Sequence, residues 1–266
     1  MGYLLAFFVR IGLRSRRTIW LFVLALIPVG FGLIALMTRQ FLEAEGINLF
    51  AQFSKVSFLL LLHFLLPLLT VFVGAAVIAD EIEDRTLPYL LVRPVPRYAI
   101  VLAKVLAGIL TVGVILLLSL WLTYTVMSLT GEEETWATEF PILLQTSGVL
   151  LLGVVAYLPF FAFLGGVVKR PAIVGILLVF GWEKTVAFFP GNVKLFTIAH
   201  YLHVLFPELE RARPESAPET FLNLAVPTTE VSGLAAALTL LAIGAVFLAL
   251  AAALPLLREY RLDQSA

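Results

Sequence analysis

The chain has 266 residues, of which 61% are hydrophobic and only 14% charged, with a formal net charge of zero and no cysteine. Soluble domains carry about a quarter charged residues, so the chain is not an ordinary globular protein in water. Zero net charge provides no basic surface suited to nucleic acid, and without cysteine there are no disulfides, thiolate nucleophiles or cysteine-ligated metals.

At the N-terminus, Leu4, Phe7, Phe8 and Ile11 recur at helical spacing while Arg10, Arg14 and Arg17 repeat along another face. That pattern predicts an amphipathic helix lying in the membrane interface. Residues 18–37 carry no charge and are long enough to cross a hydrocarbon core of about 30 Å as a helix. They follow a basic stretch, as a secretory signal core does. The run exceeds the usual core of about 7–15 residues, and no small-residue cleavage site follows it. A retained first span is expected.

Further apolar runs occupy residues 56–79, 98–127, 140–168, 171–189 and 231–257. They are continuous rather than alternating, which favours helices over a barrel. Glu183 and Lys184 interrupt the fifth run. Between the fifth and sixth runs, Leu195, Ile198, Leu202, Leu205 and Leu209 form a helical stripe. It predicts an interfacial or re-entrant helix, ended or bent early by Pro207. Residues 211–229, rich in Pro, Glu and Ser, read as an exposed loop. The expected fold is all-α: a single transmembrane domain over residues 1–266, with six membrane-spanning helices.

Charge sets the expected orientation. Twelve of the eighteen Lys and Arg residues lie before the first run, at the connection between the second and third (counting Lys104, just inside the third), between the fourth and fifth, or after the sixth. The connection between the third and fourth runs carries Glu132, Glu133 and Glu134 and no basic residue. Basic excess marks the cytoplasmic side, so both termini are expected there, in a multi-pass protein of the plasma or inner membrane. The stripe through Leu202 is then on the outer side.

Few residues could carry chemistry. Glu183 and Lys184 are the charges set well inside a span, about 20 Å from Pro171 at 1.5 Å per residue. Two readings are open for Glu183. It lines a pathway or dimer seam inside the bundle, or the helix breaks near Trp182 and both charges sit among outer headgroups. His200 and His203 have the i, i+3 spacing that can hold a metal, but no third ligand stands near them in sequence. They read as unliganded residues on the face of their helix opposite the leucines, and no metal is expected. His63, alone in the second span, is expected to hydrogen-bond a neighbouring helix. Gly148, Gly153, Gly165 and Gly166 in the fourth span, and Gly233, Ala237 and Gly244 in the sixth, would let helices pack closely.

The most distinctive segment is the charged island of residues 80–104. After it ends one span, Leu87, Leu90 and Leu91 fall on one face of a short helix that Thr86 can cap, with Pro88 in its first turn. Pro94 and Pro96 stop that helix. Its pattern, Glu81, Glu83, Thr86, Leu87, Leu90, Leu91, Pro94, Val95, Arg97 and Lys104, resembles the second cytoplasmic connection of the membrane-spanning subunits of type-2 ABC exporters. Residues 13–17, Leu-Arg-Ser-Arg-Arg before the first span, are also similar to that family. Arg85 stands where glycine is common, and Pro96 where a small polar residue is.

The resemblance implies a permease subunit, not itself an enzyme, that pairs with itself or a related permease and with two copies of a separate cytoplasmic ATPase. The island would be the coupling helix, with Glu81, Glu83, Thr86, Leu87, Leu90, Leu91, Pro94 and Arg97 as its ATPase-coupling residues. ATP and magnesium would be bound by the partner, and no cofactor by this chain. In keeping with this, the sequence has no G-x-x-x-x-G-K-[ST] phosphate loop. A membrane scaffold protein would share the hydropathy but has no use for such an island. An intramembrane hydrolase would need a Gly-x-Ser-x-Gly elbow or an H-E-x-x-H helix, and neither occurs.

Overall fold

The computed structural model describes residues 2–39, 51–83, 97–129, 134–186, 192–206 and 231–257, and among them there are helices and no strand. We number the α-helices in chain order. The first three are α1 (Gly2–Arg14), α2 (Arg16–Ala25) and α3 (Ile27–Met37). Next come α4 (Ala51–Val56), a π-helical stretch (Ser57–Leu65) and α5 (Leu66–Glu83). The long helices α6 (Arg97–Ser128) and α7 (Glu134–Val167) follow. The fifth apolar run is α8 (Pro171–Ile176), a second π-helical stretch (Leu177–Glu183) and α9 (Lys184–Val186). A 3₁₀ turn (Asn192–Phe196), α10 (Ile198–Leu205) and α11 (Gly233–Leu257) complete the order.

Five of these segments are long and apolar enough to cross a membrane: Arg16–Met37, Ser57–Ala79, Tyr98–Ser128, Phe140–Val167 and Gly233–Leu254. The chain is therefore a multi-pass, all-helical membrane protein. The fifth of the six runs expected from sequence falls short by this measure, because its described helices end at Val186.

Helix α7 is the centre, packing most extensively against α5 and α11 and also against α6. Small residues set these approaches. A Cβ on Gly74 of α5 would lie 2.8 Å from the Leu158 carbonyl oxygen, and one on Gly165 of α7 would strike the Ala75 backbone. On the α11 side, a Cβ on Gly244 would lie 2.5 Å from the carbonyl oxygen of Val155. That carbonyl is special. Pro159, four residues on, has no N–H to donate to it, so it is free to face the bare glycine backbone. Of the sequence-predicted packing glycines, Gly148 meets nothing within 4 Å and Gly233 approaches only the Leu205 side chain.

Interruptions in the first span have local causes. Ser15 caps α2 by accepting from the Thr18 N–H at 3.1 Å, while the Thr18 hydroxyl donates to the Gly12 carbonyl at 2.6 Å. Pro28, in the first turn of α3, breaks the hydrogen-bond ladder after Leu26. At that break Ser119 of α6 donates its hydroxyl to the Ala25 carbonyl, which satisfies a polar group that lipid would not.

Helix α1 packs along the first half of α6. Lys104 stands 5.4 Å from the centre of the Phe8 ring, and a Cβ on Gly12 would reach the Thr111 hydroxyl at 3.7 Å. Leu4 and Phe8 are half-buried by this packing, and Phe7 and Ile11 remain exposed. Of the coupling-like island, Glu81 and Glu83 lie on the last turn of α5 and Arg97 opens α6. Thr86, Leu87, Leu90, Leu91 and Pro94 lie outside the described residues, as do Glu132, Glu133 and the loop of residues 211–229.

Candidate functional site

One polar cluster sits inside the bundle, beneath α10, at the end opposite the Lys169–Arg170 turn. Four separate parts of the chain build it. The first is the π-helical stretch Ser57–Leu65, which places His63. Pro67 has no N–H for the His63 carbonyl, and the ladder beside it slips to π register, with the Leu66 N–H donating to the Leu61 carbonyl. Such insertions recur at functional sites. The His63 Nδ1 lies 3.0 Å from the Phe58 carbonyl oxygen, and the two rings are stacked edge-on at 4.3 Å.

The second part is α7, which contributes Tyr157 and the exposed Gln145. The third is the π-helical stretch Leu177–Glu183, whose last residue is Glu183. Its carboxylate accepts from the buried Tyr157 hydroxyl at 2.5 Å through Oε2 and from the Ile198 N–H at 3.2 Å through Oε1. It also accepts from the Ala199 N–H. Both oxygens are thus engaged. The N–H groups of Ile198 and Ala199 are unpaired donors of the first turn of α10, where a carboxylate is also favoured by the helix dipole. Glu183, fifteen residues away in sequence, serves as the cap. Thr197, at the usual capping position, makes no capping bond with its side chain and donates instead to the Lys194 carbonyl at 2.8 Å.

The fourth part is α10 itself. His203 Nε2 is 2.7 Å from His63 Nε2. Phe58 and Phe206 close over the pair, with Phe58 ring-centre distances of 5.3 Å to His203 and 5.0 Å to Phe206. At the C-terminal end of α10, Gln145 donates to the Leu205 carbonyl at 3.3 Å. Leu62, Pro67, Val179 and Leu202 complete a small cavity among His63, Tyr157, Glu183, Lys184 and His203. About 10 Å³ is open there to the centre of a water-sized sphere, room for about one water molecule.

Burial, followed by the neighbouring His63, Lys184 and His200 charges, pushes the His203 pKa down to about 3. Burial and Lys194 also lower that of His200. Both imidazoles are therefore neutral near pH 7.

These positions change several expectations. Glu183 is not a headgroup charge beyond a broken helix: the helix continues through Trp182, and the carboxylate turns into the bundle. His203 does not share a free polar face with His200. It points at His63, because the leucine stripe packs Leu202 on the bundle and carries its neighbour inward. His63 does hydrogen-bond another element, as expected. The stripe helix is shorter than its leucines suggest. Leu195 lies in the 3₁₀ turn, and α10 ends at Leu205 because Phe206, before Pro207, is extended. Among the described residues, no group of three or more His, Asp or Glu side chains could hold a metal ion. The Tyr157 role was missed altogether, since one tyrosine in an apolar helix carries no sequence signal.

A bundle of long apolar helices with a polar cluster at one end defines a polytopic membrane protein. Residues 12–181, well over half of the chain, match the family model described as ABC-2 family transporter protein. The chain belongs to that family and is an ABC transporter permease. The matched region includes His63 and Tyr157 and ends just before Glu183. A search of curated proteins finds no match.

Proposed function

We propose that this permease is driven by a separate cytoplasmic ATPase that docks on the island of residues 80–97, and that it exports its substrate. The observation that carries this reading is the family match across residues 12–181, which includes the whole island. The island's alternation of carboxylates, leucines and prolines is suited to a groove on a soluble partner: leucines anchor, and charges steer the approach. In this reading six segments cross the plasma or inner membrane, α8 to α9 being the short fifth crossing, and both termini are cytoplasmic. The functional unit is one transmembrane domain per chain, paired with a second copy or a related permease and with two ATPase subunits. ATP and magnesium are bound by the ATPase. The island residues Glu81, Glu83, Thr86, Leu87, Leu90, Leu91, Pro94 and Arg97 make the contact.

Glu183 is proposed as a pathway residue. Its burial beside a cavity at the α10 end supports this, since an ionisable group at membrane depth is costly unless it serves a partner, water or cargo.

The docking claim is tested by Leu90→Asp with Leu91→Asp. Losing a buried leucine contact costs about 1.5–3 kcal/mol, and an unpaired aspartate in its place costs more. The double variant should insert normally yet lose its ATPase in a detergent pull-down, scored against equal amounts of inserted permease. Binding equal to wild type would sink the coupling assignment.

A further inference from the structure

We propose that the His63–His203 pair is a proton-binding site that latches α10 onto the bundle and releases it when both imidazoles are protonated. The inference stands apart from the transport reading, because it depends only on how α10 is held.

The hydrogen-bond chemistry assigns the proton positions. A carbonyl oxygen only accepts, so the His63 Nδ1, 3.0 Å from the Phe58 carbonyl, must carry a hydrogen. In a neutral ring the Nε2 of His63 is then bare. His203 must donate its own Nε2–H across the 2.7 Å gap. One hydrogen lies between the two rings. A single added proton is tolerated: His63 becomes the donor and His203 moves its hydrogen to Nδ1. A second proton puts a hydrogen on each Nε2, two cations facing each other with no acceptor between them. The bond must then open.

The surrounding groups act on this balance from every side. Lys184, on the fifth segment, faces the same cavity and opposes positive charge. His200, one turn back on α10, adds to that opposition when protonated. Glu183, from the same segment as Lys184, shares the cavity, with its oxygens committed to Tyr157 of α7 and the start of α10. Phe58 and Phe206 cover the pair with apolar surface. No carboxylate is hydrogen-bonded to either imidazole among the described residues, so the second positive charge has no direct counter-ion there.

The latch is one of three ties on α10, a helix of eight residues. Glu183 holds its first turn, and Gln145 and His63 hold its last. Opening the histidine tie leaves the last turn held, of these ties, by the exposed Gln145–Leu205 hydrogen bond alone, and the C-terminal half can then swing about the Glu183 end. The sign follows from proton counting. The released helix, with both imidazoles in water, binds up to two more protons than the neutral latched pair. Each unit of pH below the ordinary histidine range therefore favours release by up to about tenfold for each proton taken up.

The test uses the full chain in lipid nanodiscs. Its three histidines make ¹⁵N-histidine spectra assignable by single substitution. Near about pH 8, His63 should show the Nδ1–H tautomer and His203 the Nε2–H tautomer, with a scalar coupling between the two Nε2 nuclei across the hydrogen bond. Absence of that coupling in wild-type protein overturns the latch without any variant. Movement is read by spin labels at Val204→Cys on α10 and Leu144→Cys on α7, both exposed positions in a chain with no cysteine. From about pH 8 to about pH 4.5 the label distance should lengthen and broaden. His63→Gln, whose amide oxygen still accepts from His203 but does not titrate, should remove most of that response, and His200→Gln should leave it. An unchanged distance in wild type, or the same response in His63→Gln, would overturn the proposal.

Discussion

At the scale of single residues, the cost of a buried polar group depends on whether its partners are complete. Glu183 meets that condition through Tyr157 and two backbone N–H groups, none of which is near it in sequence. Tyr157→Phe removes one charge-assisted hydrogen bond, worth about 1.5–3 kcal/mol, and should lower the thermal unfolding midpoint of the purified permease. Glu183→Gln separates the two roles of that side chain. Its single amide oxygen can still cap α10 while its NH2 group faces the Tyr157 hydroxyl, so assembly should persist, with a thermal midpoint lowered about as in Tyr157→Phe. Transport, or the stimulation of ATPase activity by substrate, should fall if the charge serves the pathway. Unchanged transport in a folded Glu183→Gln variant would remove Glu183 as a pathway residue. His203 adds a pH dependence of known sign. Its pKa is lowered from 6.5 to about 3, so the folded state prefers the neutral ring. That contribution to stability is complete above pH 6.5 and is lost as pH falls toward about 3. The acid side of a stability–pH curve should therefore be shallower in His203→Gln than in wild type.

At the scale of elements, prolines and glycines determine where helices break register and where they touch. Pro67 accompanies the π register that places His63, Pro28 splits the first span, and Pro159 frees the Val155 carbonyl that faces Gly244. The glycines are not equivalent. Gly165→Ala and Gly244→Ala each drive a methyl group into a neighbouring backbone, which cannot move aside as a flexible side chain can. Overpacking of this kind costs about 1–3 kcal/mol, so both variants should reduce the yield of monodisperse permease on size-exclusion chromatography. Gly148→Ala meets open space and should be neutral. Equal losses for all three would show that helix propensity or insertion, rather than α7 packing, governs the result.

On the scale of the whole molecule, α7 is the hub on which α5, α6 and α11 pack, while the first span and α11 keep broad apolar flanks exposed. Those flanks suit lipid or a second permease. Orientation is tested by labelling, since the chain has no native cysteine. A cysteine at Glu133 should be blocked by a membrane-impermeant reagent added outside intact cells, and one at Thr86 only after the cytoplasm is opened. The reverse pattern would invert the topology and place the α10 cluster on the cytoplasmic side.

Much of this protein was legible without a structure because lipid imposes a simple rule. Every spanning backbone group must be paired within its own segment, so continuous apolar runs bounded by charge announce their helices. Five of the six expected spans, their approximate limits and the charged island followed from that rule, and the island's residues pointed to the transporter family. Tertiary structure decided what one dimension cannot carry. His63 and His203 are separated by 140 positions, yet their ring nitrogens are 2.7 Å apart. No periodicity links them, because the π insertion beside Pro67 rotates one ring and the burial of Leu202 rotates the other. Glu183 could be read from sequence as a headgroup charge or as a buried one, and only the Tyr157 hydroxyl and the open end of α10, brought to it by packing, determine which. Hydrophobicity is local and additive along the chain, whereas the pairing of polar groups depends on which helices meet.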